Sequence, residues 1–66
     1  MTIEEARQRI ESAIDHFGSQ AGMAIDLVIK EVLGDQGKEA ANELIEEFDL
    51  ELYYNIAPIE EMGSGD

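Results

Sequence analysis

Glu39, Glu43, Glu47 and Glu51 stand four residues apart, and Glu46 and Asp49 fall between them. On a helix, groups at that interval lie one above another along a single side. Two kinds of chemistry are open to such a column. Carboxylates four apart can share a hard cation, holding it weakly and with its waters. At about 1.5 Å rise per residue they also repeat every ~6 Å, near the phosphate spacing of a nucleic-acid strand. A face of that kind would suit a basic groove on another protein, with fast and salt-sensitive association, as nucleic-acid mimics and inhibitors achieve. The plainer reading is a solvated face that keeps the protein soluble. Maintaining the column has a cost, because like charges four apart disfavour a helix by roughly 0.2 to 0.5 kcal/mol per pair. A domain this small commonly has only ~3 to 5 kcal/mol in reserve.

Other candidate chemistry is sparse. His16 follows Asp15, but a Glu-x-x-His pair would need a glutamate at position 13, where Ala13 stands, so His16 reads as a surface or boundary residue. Ser12, Ser19 and Ser64 sit in neither a nucleophile elbow nor a phosphate loop. Without cysteine there is no disulfide, thiolate nucleophile or zinc-thiolate site. The Asp, Asn and Gly spacing of a twelve-residue calcium loop is missing as well. The expectation is a protein that is not an enzyme and holds no cofactor.

Charge narrows the partners. Sixteen acidic residues against four basic ones give a formal charge of -12, which disfavours DNA, RNA and anionic membranes and favours a basic protein surface. With 44% hydrophobic residues, including eight isoleucines, the chain keeps the apolar content that a disordered acidic segment lacks. Apolar runs such as 27–29 are three residues long, so no membrane span or signal peptide is expected, and the location expected is cytoplasmic.

Three helices would position these groups. Thr2 and Glu5 fit a capping box opening helix 1 over about 3–17, where Ile3, Ala6, Ile10, Ala13, Ile14 and Phe17 share one arc. Gly18 suits the positive φ of a helix end, and Ser19 can cap the next element. In helix 2, about 20–33, apolar residues go most of the way round, which predicts the buried helix, with Met23 as a core filler. Gly22 weakens its first turn and marks a close approach by a neighbour. A turn over 34–37 follows, with Asp35 able to cap helix 3. Helix 3, about 38–54, carries the acidic column and an apolar stripe of Ala41, Leu44, Ile45, Phe48 and Leu52. Residues 48–56 also alternate with the period of a strand, which would need pairing with another copy.

The hexapeptide Glu46-Glu47-Phe48-Asp49-Leu50-Glu51 is similar to the end of the second helix of acyl carrier proteins, which are also small, acidic and helical. The resemblance covers about a dozen residues. It would place the family's phosphopantetheine-bearing serine at Gly34, which offers no attachment point. Residues 38–50 also resemble half of a helix-turn-helix, but their glutamate face repels phosphate.

The sequence thus predicts an all-α, compact three-helix bundle: one domain over 1–62, a short segment from Pro58 through Met62 and a flexible tail over 63–66. A chain this size buries only about 60% of its unfolded surface, so a homodimer would help it. The leading functional expectation is a module whose Glu39, Glu43, Glu46, Glu47, Asp49 and Glu51 engage a basic partner surface. The alternative is a homodimeric helical adaptor using an apolar surface with Tyr53 and Tyr54, since tyrosine often marks a contact. Weak divalent-cation binding is a second alternative.

Overall fold

The computed structural model describes residues 1–59, among which there are four α-helices and no strand. α1, Ile3–Phe17, opens with the expected capping box: Thr2 Oγ1 accepts from the Glu5 amide and Glu5 Oε1 from the Thr2 amide, both at 3.1 Å. Gly18 ends it at φ 57, a conformation that a side chain would oppose. One 3₁₀ turn, Gly18–Gln20, leads into α2, Gly22–Gln36. The chain then needs only Gly37, at φ 97, to enter α3, Lys38–Glu47. The last helix, α4, is Leu50–Tyr54.

α1 and α2 form an antiparallel hairpin, closed at its open end by polar contacts. The Met1 ammonium donates to Asp35 at 2.8 Å, and Gln36 Nε2 donates to the Met1 carbonyl at 2.9 Å. α2 is the central element, packing against both α1 and α3. Ala6 and Ile10 of α1, Ile25, Ile29 and Val32 of α2, and Leu44 of α3 are essentially sealed from water. Each of the larger ones, the isoleucines, Val32 and Leu44, stabilises the fold by roughly 1.5 to 3 kcal/mol relative to leaving it exposed.

The expected helix over 38–54 is not a single rod. It breaks at Phe48 and Asp49, and Asp49 adopts the left-handed conformation (φ 52, ψ 45). The reason lies in Leu50. At about 100° per residue, nine residues beyond Ala41 is about 180° away, so an unbroken helix would hold Leu50 out among the glutamates. The break turns it into the core, where it is fully buried. That burial is worth roughly 1.5 to 3 kcal/mol. A left-handed residue costs roughly 1 to 2 kcal/mol, and aspartate is among the residues that tolerate it best. Burial therefore wins. Leu52, expected on the buried stripe, is rotated out into solvent instead.

Beyond α4 the chain folds back. Asn55 is again left-handed, and the Ile56 amide donates to the Leu50 carbonyl at 3.2 Å. Asn42 then grips Ile59 from both sides, with Nδ2 donating to the Ile59 carbonyl and Oδ1 accepting its amide. The amide side chain serves the extended segment as an adjacent strand's peptide would. The segment expected to continue to Met62 and the tail over 63–66 lie outside the described residues.

Smaller differences have local causes. α2 runs three residues further than expected, because Gly34 is accommodated inside the helix and Gly37 alone makes the turn. Asp35 pairs with the N-terminus rather than capping α3. Ser19 caps nothing, since Ala21 occupies the N-cap of α2. The approach at Gly22 comes from the Tyr54 ring: a methyl there would meet Tyr54 Cδ1 at 3.5 Å, an ordinary contact. Neither is α2 buried all round. It buries Ile25, Val28, Ile29 and Val32 but exposes Met23, which is therefore not a core filler, and Leu27.

Candidate interaction surfaces

The acidic side chains singled out by their spacing do not share one face. Glu39, Glu43 and Glu46 are exposed on the outer side of α3, opposite Ala41, Leu44 and Ile45. They make no ion pair among the described residues. Glu47 is committed elsewhere: the Arg7 guanidinium of α1 clasps it with two hydrogen bonds, Nε to Oε2 at 2.8 Å and a second nitrogen to Oε1 at 3.1 Å. This forked pairing pushes the Arg7 pKa further above its already high ordinary value, chiefly through the hydrogen bond to Glu47. Asp49 serves as the backbone pivot of the break, its carbonyl accepting from the Leu52 and Tyr53 amides. Glu51 lies beyond that pivot on α4. The regular column thus stops at the end of α3.

The tyrosines divide as their adjacent positions require. Tyr53 is exposed. Tyr54 is half-buried and structural, its hydroxyl donating to the Gly18 carbonyl at 2.9 Å and tying α4 to the α1–α2 corner. His16 is exposed, and its Nδ1 must carry a proton, since it lies 2.9 Å from the Ser12 carbonyl, which can only accept. Among the described residues no carboxylate completes an acid–base pair with it. Among the described residues no three Asp, Glu or His side chains converge as a metal site.

Sequence reasoning missed an apolar surface on the other side of the molecule. Phe17 (58% exposed) ends α1, while Met23 (80%) and Leu27 (64%) stand one turn apart on α2. Between the two helices runs an open groove of ≈ 400 Å³ with Ala13, Ala24 and Val28 at its base and Phe17 and Leu27 along it. Arg9 and His16 stand on the α1 wall and Glu31 on the α2 wall. None of the lining residues comes from α3 or α4. A signal for this surface was present in the apolar residues that encircle helix 2, because so small a chain has too few partners to cover every side of one helix. Leu52 (76%) and Tyr53 (68%) form a second, smaller apolar exposure on α4.

No helix among the described residues is long and apolar enough to cross a membrane. No known family model, curated protein or solved structure matches this chain.

Proposed function

We propose that this protein is a non-enzymatic helical binding module whose working surface is the apolar face of the α1–α2 hairpin. One observation carries the reading: Phe17 and Leu27, two large apolar side chains each more than half exposed, line one continuous groove, and Met23 is exposed one turn before Leu27. Apolar side chains clustered in this way, rather than scattered singly, mark contact surfaces. Ala13 and Ala24 at its base leave room for the side chains of a docked helix.

A second reading keeps the acidic outer face of α3 as the contact for a basic partner surface. It is supported by the carboxylates of Glu39, Glu43 and Glu46, which make no ion pair among the described residues and remain exposed on one side of one helix. A photo-crosslinking side chain placed in turn at positions 27 and 43 separates the two. The apolar reading expects protein adducts from position 27 that persist in 0.5 M salt, a concentration at which surface charge attraction is largely screened. Adducts arising only from position 43, and lost in high salt, would replace it with the acidic reading.

A further inference from the structure

We infer that the occupant of the α1–α2 groove is a second copy of this chain, seated about a two-fold axis that runs along the groove. The inference rests on the reading of that face as the working surface and adds its partner.

Charge selects the occupant. Two bodies of formal charge -12 repel unless they meet where each is locally neutral. The groove is such a place. Arg9 on one wall opposes Glu31 on the other, and neither makes an ion pair among the described residues. The Met1 ammonium nearby is held by Asp35, and Lys30 on the outer side of α2 is matched by Asp26 at 3.2 Å. The exposed carboxylates of α3, by contrast, do not line the groove. A basic partner would find little to attract it here, and an acidic one only Arg9.

Symmetry supplies the pairing. In a face-to-face dimer, a two-fold axis parallel to the helices sets α1 of each copy over α2 of the other, so a residue on one wall meets its counterpart on the opposite wall twice. The hairpin that brings Met1 to Asp35 puts Arg9 and Glu31 within about one helical turn of each other along the groove. Arg9 of each copy then reaches Glu31 of its mate. Phe17 and Leu27 close over the small residues of the facing groove. Neighbouring helices run antiparallel all round, the up-down order of a four-helix bundle.

Sedimentation equilibrium of the full chain, with matched circular dichroism melts, tests this. Wild type should sediment at twice the 7.3 kDa of one chain, and Leu27→Glu should return it to one. Because Leu27 is already exposed, its replacement should leave the helical signal intact; should it not, Phe17→Lys makes the same test at another exposed residue that lines the groove. Arg9→Glu and Glu31→Arg should each weaken the dimer on the order of tenfold, and the double exchange should recover it. A chain that stays monomeric at millimolar concentration, or a dimer indifferent to Leu27→Glu and Arg9→Glu, would overturn the inference. Crosslinks from position 27 to a different protein would overturn it too, yet leave the binding-module reading standing.

Discussion

The α1–α2 hairpin and the α3–α4 arm solve the same problem in opposite ways. The hairpin keeps two unbroken fifteen-residue helices and leaves apolar side chains in water; the arm breaks its helix and brings its misplaced leucine inside. In the arm, a single left-handed aspartate is enough to rotate Leu50 inward, and the core it enters is already roofed by α2. For the hairpin no such remedy exists, because turning Leu27 inward would turn Ile25 and Ile29 out. What each helix exposes therefore follows from which of its residues the shared core claims first. An exposed leucine on α2 is the remainder of that competition, and it is available to a partner.

The comparison breaks most sharply at Leu50 and Leu52. Leu50→Ala should cost about 2 to 5 kcal/mol in urea unfolding, whereas Leu52→Ala should stay within about 0.5 kcal/mol. The reverse order, with Leu52→Ala the costlier, would mean that the arm is continuous after all. Next come the joints. Gly37→Ala forces a side chain into φ 97 and should destabilise by about 1 to 2 kcal/mol, while Gly34→Ala, inside α2 with nothing within 4 Å, should stabilise by about 0.5 to 1 kcal/mol. At the pivot, Asp49→Gly should stabilise by a few tenths of a kcal/mol and up to about 1 kcal/mol by removing the left-handed strain, and Asp49→Ala should do the reverse.

The smallest effect concerns the closure of the hairpin. The hydrogen bond that it donates to Asp35 raises the pKa of the Met1 ammonium above its ordinary value of 8.0. A group whose pKa is raised on folding contributes its stability fully below the unfolded value and loses it as the pH climbs through the folded one. The melting temperature of wild type should therefore fall slightly more than that of Asp35→Asn between about pH 7.5 and 9.5. Parallel curves for the two proteins would mean that this contact contributes nothing.

Much of the architecture was legible because it is local. Thr2 and Glu5 announce the first helix, Gly18 its end, and the three-four spacing of Ala6, Ile10 and Ala13 its buried side. Even the break left a trace: Leu50 lies off the stripe of Ala41, Leu44 and Ile45, and the strand-like alternation from Phe48 onward is that same misfit in another guise. Reading those residues as a continued helix placed Leu52 inside and Glu51 on the column, and the structure reverses the first and separates the second. Only part of the candidate site could be read in this way. Spacing identifies Glu39, Glu43 and Glu46 as one exposed side, but it does not reveal that Arg7, forty residues earlier, reaches Glu47. Nor could it decide which arc of α2 would be left uncovered, since that depends on where α1 and α3 both dock.

The two-sided grip of Asn42 on Ile59 has a practical corollary. It anchors the last described residue to α3, whose residues take no part in lining the α1–α2 groove. A fluorophore attached at the exposed Pro58, next to that anchor, is thus held beside α3, giving experimenters a handle that leaves the apolar face unencumbered.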